Sequence, residues 1–298
     1  MLERLRKPWF IHRPTQILRR VYAQLRPPRP GYRALNTSWG IALVADPSRT
    51  IGRNIVTTGL YDIAVSEVLA RLIAPGSTVI DAGANVGYMS ALAALAAGPD
   101  GKVIAFEPHP QLVQILRANA RSAAKQRAMA PVEVHEAALG ETEGSAQLNI
   151  PDGFSGNDGI ASLVEDSVGL GDSVAVKVVT LDQVIGDTEI GVMKIDVEGF
   201  ELQALRGGIE ALRAHRIRHV VFEDFHAGDS QVMRLFAGMG YRVFELGWTV
   251  DRLALAPLGG RRVGNPNEAP NFIATTDPQA LMALCEAPSW KVLSSHWN

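Results

Sequence analysis

Thr78-Val-Ile-Asp-Ala-Gly-Ala-Asn-Val-Gly87 runs from a short apolar strand through a glycine turn into Val86–Ala97, a stretch rich in Ala and Leu that stops at Gly98-Pro99. Glycine at such a turn lets the backbone approach a ligand closely. The same strand-then-helix alternation repeats outward from it. Lys102–Glu107 reads as a second strand, Pro110–Ser122 as a helix and Val132–Ala138 as a third strand. Val192–Asp196 is a fourth, followed by a helix over Glu201–Ala214. His219–Glu223 is a fifth, with a helix around 229–239, and Tyr241–Leu246 and Asn271–Thr276 supply two late strands. This alternation predicts an α/β fold, a mainly parallel sheet with helices on both faces. Ligands of such sheets bind at the carboxyl ends of the strands, where the strand order reverses.

The flanks read differently. Residues 61–73 have helical periodicity and end before Pro75-Gly76, and residues 40–58 read as short strands around a turn at Asp46-Pro47-Ser48. Arg26-Pro-Pro-Arg-Pro-Gly31 breaks any helix and reads as a linker. Residues 140–180 interrupt the alternation. Two strand-like pieces, Ala146–Ile150 and Val174–Thr180, bracket a Gly-, Ser- and Asp-rich stretch, read as a mobile loop around 152–172. With Phe154, Asn157, Asp158 and Ser162, that loop is placed to cover an acceptor.

The 298 residues are 47% apolar and 20% charged, ordinary for a globular chain and incompatible with wholesale disorder. One cysteine, Cys285, allows neither an internal disulfide nor a cysteine zinc cluster and fits a cytoplasmic setting. No apolar run approaches the roughly 18 residues of a membrane span. The net charge of −2 is unevenly spread. Residues 1–33 hold nine basic residues against Glu3 alone, a net of +8, which leaves −10 for the rest. Basic residues interrupt that segment too often for a signal peptide. It reads as a helix packed on the acidic body, or as a contact with a membrane surface or acidic partner.

Two cofactor classes compete for the glycine turn. A dinucleotide site wants Gly-x-Gly-x-x-Gly. Counting from Gly83, Asn85 and Tyr88 stand where the second and third glycines belong, which sets a nicotinamide-dependent dehydrogenase aside. Glu107, in Phe106-Glu107-Pro108 at the next strand end, suits a ribose diol, because a carboxylate accepts both hydroxyl hydrogens. A nucleoside cofactor is indicated. In Lys194-Ile-Asp196-Val-Glu198-Gly199 the period of a strand puts Lys194, Asp196 and Glu198 on one face. Three charges there are costly unless paired or functional.

Val79-Ile-Asp-Ala-Gly-Ala-Asn-Val-Gly87, Phe106-Glu-Pro108, Thr180-Leu-Asp182 and Lys194-Ile-Asp-Val-Glu-Gly199 resemble the FkbM family of S-adenosylmethionine-dependent methyltransferases, in the family's order and over roughly residues 55–245. The resemblance implies a class I methyltransferase (Rossmann-like) fold, with a seven-stranded, mostly parallel sheet and an antiparallel final hairpin. With the charge and linker pattern, the chain divides into a basic N-terminal extension (1–35), strands and a helix that cap the catalytic domain (36–77), the FkbM-type methyltransferase domain (78–280, with the insertion at 140–180) and a C-terminal tail (281–298). By the same resemblance Asp81, Gly83, Ala84, Asn85 and Gly87 line the methionine end of S-adenosylmethionine. Glu107 and Pro108 flank its ribose, and Glu136, Ala137 and Ala138 lie near the adenine. Tyr61 and Asp62 are placed to close the pocket.

Asp196 then lies across from the sulfonium, where a carboxylate stabilises charge, orients an acceptor hydroxyl or takes its proton. Glu198 either holds a loop or reaches the acceptor, and Lys194 neutralises a neighbouring carboxylate. Glu223 and His226, in Phe222-Glu-Asp-Phe-His226, meet Asp196 and Glu198 at the same rim, with His226 or a carboxylate as base. Asp196, Glu198, Glu223 and Asp224 are the oxygen ligands available to Mg²⁺, which the motifs do not call for. Trp248, Trp290 and Trp297 serve either as sugar-stacking rings or as core. The expected reaction is O-methylation of a hydroxyl on a small-molecule, sugar or glycan acceptor by in-line transfer. The alternatives are a non-catalytic S-adenosylmethionine-binding module, or a nucleic-acid methyltransferase guided by residues 1–33. The acidic body argues against a nucleic-acid partner.

Overall fold

The computed structural model describes residues 7–8, 11, 15–151, 162–164, 171–224, 230–260 and 270–294. Helix α1 (Thr15–Leu25) precedes an antiparallel ribbon of β1 (Arg33–Asn36) and β2 (Ala42–Ala45). Helices α2 (Thr50–Thr58) and α3 (Ile63–Leu72) lead into β3 (Thr78–Ala82), α4 (Tyr88–Ala97), β4 (Lys102–Phe106), α5 (Pro110–Gln126) and β5 (Val132–His135). The insertion supplies β6 (Ala138–Leu139), β7 (Gly144–Pro151), β8 (Ser162–Val164) and β9 (Gly171–Val179), which form their own sheet, and then α6 (Leu181–Ile185). The main sheet resumes with β10 (Ile190–Ile195), α7 (Glu201–Arg206), α8 (Ile209–Arg213), β11 (Ile217–Glu223), α9 (Gln231–Gly238), β12 (Arg242–Trp248), β13 (Leu253–Pro257) and β14 (Asn271–Thr275). Helix α10 (Pro278–Glu286) and a 3₁₀ turn at Lys291–Leu293 follow.

The strand order is β13-β12-β14-β11-β10-β3-β4-β5. From β5 to β11 all pairings are parallel, and β14 runs antiparallel between β11 and β12. These seven strands, six parallel and one antiparallel, are the sheet that the resemblance leads one to expect. An eighth, β13, extends the edge antiparallel to β12, which the sequence reading lacked. It ends at Pro257, as befits an edge strand that needs no further ladder donor. The chain moves outward from β3 through β4 to β5, then returns to β10 on the other side of β3. The switch point therefore lies between β3 and β10.

The period of two divides the core into two layers. Val79, Val103, Val192 and Val221 face one apolar cluster, while Ile80, Ile104, Met193 and Phe222 face the other. Asp81 and Lys194 share the first face, and the β3–β10 register sets them side by side. On that same side α3 buries Glu67, whose carboxylate accepts from Arg71 Nε at 2.6 Å and from the backbone N–H groups of Lys291 and Val292 at 3.0 Å each. The segment that follows α10 is thereby fixed to the core, with Trp290, Val292 and Leu293 buried.

Three local readings change. Residues 50–58 form a helix rather than a strand, because Ile51, Ile55 and Thr58 repeat at helical spacing and bury one face. The predicted strand 132–138 breaks after His135, and Ala138–Leu139 pairs with β9 in the second sheet. The predicted helix 201–214 is cut at Gly207-Gly208. A Cβ on Gly207 would lie 2.0 Å from the Gly140 carbonyl oxygen, so the insertion presses directly on that turn.

Candidate functional site

Lys194 organises the switch point. Its Nζ lies 3.4 Å from Asp81 Oδ1 and 3.6 Å from Asp196 Oδ2, and donates to the Gly83 carbonyl oxygen at 2.9 Å. Burial opposes its charge, but Asp196, Asp81 and Glu107 outweigh that, so its pKa is raised and the ammonium persists. The other Asp81 oxygen, Oδ2, accepts from Ser90 Oγ at 2.5 Å. One buried cation thus ties the end of β10 to the end of β3.

The turn after β3 is shaped by close approach. Gly83 has φ +75°, and a Cβ there would lie 1.9 Å from the Asp196 carbonyl oxygen. Asn85, at φ +51°, donates its backbone N–H to Glu107 Oε2 at 2.7 Å, and its side-chain oxygen accepts from Val86 N. His109 N donates to Glu107 Oε1 at 2.9 Å. Burial pushes the Glu107 carboxyl up to about 7 despite these two donors and the Lys194 charge.

Two cavities meet here. The larger, about 200 Å³, runs over Gly83, Ala84, Asn85, Glu107, Pro108, Ala137 and Ala138, with Phe106, Leu112, Leu139 and Leu148 as apolar wall. Thr50 and Ile51 of α2 also reach it. The smaller, about 60 Å³, is lined by Asp62, Val65, Val221, Phe222, Glu223 and Asn271 among others. Tyr61, Met89, Lys194 and Asp196 border both.

The smaller cavity is acidic. Burial, then the charges of Asp196, Glu198 and Asp62, push the Glu223 carboxyl up to about 8. Glu198 stands exposed at the rim with φ +53°, and desolvation of its carboxyl with the Asp196 and Glu201 charges raises it to about 7. Tyr61 is pushed well above its ordinary value by burial and then by Asp196, Asp62, Glu223 and Glu198, so it keeps its proton. Its ring packs edge-on against Tyr88, at 6.1 Å and 89°. Tyr88 accepts from Trp39 Nε1 at 3.0 Å, and Ser66 Oγ donates to the Tyr61 carbonyl oxygen at 2.6 Å. Asp62 caps α3 through Val65 N at 3.0 Å, and its other oxygen accepts from Asn271 Nδ2 at 2.9 Å.

Several expectations shift. Asp81 and Gly87 do not line the larger cavity. Asp81 is buried beneath it, paired to Ser90 and Lys194, and Gly87 starts α4 at φ +86° where a Cβ would press on Leu116 at 2.6 Å. The loop 197–199 is held by Glu201, whose Oε1 accepts from Val197 N and Gly199 N at 3.1 and 3.2 Å, rather than by Glu198. Glu136 is exposed and paired with Arg117 at 3.0 Å. Asp224 is buried and lines neither cavity, and among the described residues no three His, Cys, Asp or Glu side chains form a group fit to hold a metal. Trp290 is core, donating Nε1 to the Val250 carbonyl oxygen at 3.2 Å. His226, Phe154, Asn157, Asp158 and Trp297 lie outside the described residues, as does most of 152–172, and of Ser162 only the backbone, in β8, is described. Asn271, Glu201, Thr50 and Ile51 were not singled out in the sequence. Asn271 has a signal in hindsight, a polar residue opening a late strand beside Glu223, its register partner.

Residues 81–243 match the methyltransferase FkbM domain, over more than half of the chain. The chain belongs to the FkbM methyltransferase family. It is 30% identical over 195 residues to 31-O-demethyl-FK506 methyltransferase FkbM of Streptomyces tacrolimicus, covering 57% of this chain and 74% of that one. It is 27% identical to methyltransferase sdnD of Sordaria araneosa, over 70% of this chain and 85% of that one. The crystal structure of methyltransferase FkbM from Methylobacillus flagellatus overlays with a TM-score of 0.44 at 18% identity, over 66% of this chain and 43% of that one.

As an FkbM methyltransferase the chain is S-adenosylmethionine-dependent, and the larger cavity fits that cofactor. Glu107 is buried with one backbone donor on each oxygen, so further lone pairs remain for a ribose diol. Hydroxyl donors there would also offset the burial that raises its pKa. Ala137 and Ala138 offer small apolar walls for a flat base, and Leu139 a larger one. The Lys194–Asp196 end carries a carboxylate, opposite in charge to a sulfonium.

Proposed function

We propose that this FkbM methyltransferase methylates a hydroxyl oxygen of a sugar, glycan or natural-product acceptor that enters the smaller cavity. The observation that carries the reading is the position of Asp196, which borders both cavities and is held at 3.6 Å from Lys194. S-adenosylmethionine supplies the electrophilic methyl group. In this arrangement Asp196 orients the acceptor hydroxyl toward the larger cavity, and most of the protein's work is that alignment. Glu223, which lines the smaller cavity with Asp196, receives the hydroxyl proton in its ionised form, the fraction of which grows as pH approaches the value of about 8 to which its carboxyl is raised. Tyr61 and Asn271 donate hydrogen bonds to the remaining acceptor oxygens, which favours a polyhydroxylated molecule. The relative from Streptomyces tacrolimicus, whose name specifies an O-demethyl substrate, supports oxygen as the methylated atom.

The reading is tested by transfer of tritiated methyl from S-adenosylmethionine into fractionated cell extract, with wild type and Asp196→Asn side by side. Label in a sugar or glycolipid fraction, lost with the variant, is the expected result. Label confined to RNA or protein overturns the acceptor class.

A further inference from the structure

Helix α1 presents an apolar stripe to solvent. Leu18, Val21, Tyr22 and Leu25 follow the spacing i, i+3, i+4, i+7 and are 72%, 48%, 62% and 77% exposed. A helix that merely covers the body turns this stripe inward. Here the stripe points away although α1 packs on α2. At about 100° per residue, Arg19 and Arg26 lie together along one edge of the stripe, and both are exposed. From Thr15 to Arg33 the chain holds five arginines and no acidic residue. No helix among the described residues is long and apolar enough to cross a membrane, so the stripe is too short to be a span.

We infer that α1 docks in the interface of an anionic lipid bilayer, with Leu18, Val21, Tyr22 and Leu25 entering the headgroup boundary and Arg19 and Arg26 pairing with lipid phosphates. Apolar residues on one face with arginines at its edge are what such an interface recognises. A nucleic acid would use the arginines and leave four large apolar side chains in water. An acidic surface alone would do the same. The remaining chain, net −10 beyond residue 33, is repelled by an anionic bilayer, so contact is confined to this end of the molecule. Because α2 carries Thr50 and Ile51 into the larger cavity, the docking helix lies one element from the cavity wall.

The test is co-sedimentation of the full chain with phosphatidylcholine vesicles, with and without phosphatidylserine. Binding only to phosphatidylserine vesicles, weakened by salt, is expected. Leu18→Glu with Leu25→Glu, and separately Arg19→Glu with Arg26→Glu, should each weaken it on the order of tenfold or more. Unchanged S-adenosylmethionine affinity serves as the folding control. No vesicle binding by wild type overturns the inference, as does binding that the variants leave intact. So does a dimer, seen by light scattering, that Leu18→Glu abolishes, for then a second copy covers the stripe. RNA that binds wild type and displaces the vesicles overturns it too.

Discussion

Gly83 and Asp196 meet backbone to backbone where the sheet order reverses, so that a methyl group on Gly83 would lie 1.9 Å from the Asp196 carbonyl oxygen. The glycine turn after β3 and the backbone that carries Asp196 at the end of β10 are therefore one piece of structure. Gly83→Ala meets both this clash and a positive φ. The expected loss is about 3 kcal/mol or more of unfolding free energy, with cofactor affinity lost in whatever remains folded. Urea unfolding with the midpoint within error of wild type would show that the strand ends can separate.

In the proposed reading Glu107 is the residue that recognises the ribose of S-adenosylmethionine. Glu107→Ala removes the acceptor of two backbone N–H groups as well as of the diol, so it weakens S-adenosylmethionine binding and lowers stability together. Glu107→Gln separates the two, because its single carbonyl oxygen replaces only part of the acceptor set. The expected outcome by calorimetric titration is about tenfold weaker cofactor binding for the Gln variant, with a smaller loss in thermal midpoint than Ala causes. Wild-type affinity in the Gln variant would move ribose recognition elsewhere.

Glu223 makes stability depend on pH with a definite sign. Its carboxyl titrates near 8 in the folded chain against an ordinary 4.5, so the folded state holds the proton more tightly. That contribution is fully present below about 4.5 and is lost as pH rises through 8. His219, lowered to about 4 by burial, acts in the opposite sense, but only below its ordinary 6.5. Between pH 6.5 and 8.5 the unliganded protein should thus lose thermal midpoint, and Glu223→Gln should flatten the slope. A midpoint that rises across this window, or a slope the variant leaves unchanged, contradicts the burial of Glu223 beside Asp196.

The parallel sheet was legible because β3, β4, β10 and β11 are buried on both faces and read as apolar runs, with the glycine turn fixing their direction. Glu107, Asp196 and Glu223 were legible because each closes or follows such a strand. Residues 50–58 were not, since Ile51, Ile55 and Val56 are β-branched and suit a strand as well as a helix, and the close approach of this segment to the Asp46 carbonyl oxygen, 2.1 Å from where a Cβ on Gly52 would lie, is a tertiary contact that no local pattern reports. Asp81 was misplaced because register, not composition, sets it beside Lys194. Asn271 reaches the cavity through an antiparallel strand inserted 48 positions after Glu223, a neighbour that no local pattern reports.

Lys194 is expected to be the most costly side chain of the site to remove. In Lys194→Met, Asp81 keeps only Ser90, the buried Glu107 loses the charge that offsets its burial, and the half-buried Asp196 loses its cation. Breaking a buried pair from one side costs about 3–5 kcal/mol, more than the pair itself is worth. The double variant Lys194→Met with Asp81→Asn removes the stranded charge and should recover part of that loss. Chemical denaturation of the two variants checks this. A double variant no more stable than the single would show that Lys194 acts through its hydrogen bond to the Gly83 carbonyl oxygen, at 2.9 Å, and not through Asp81.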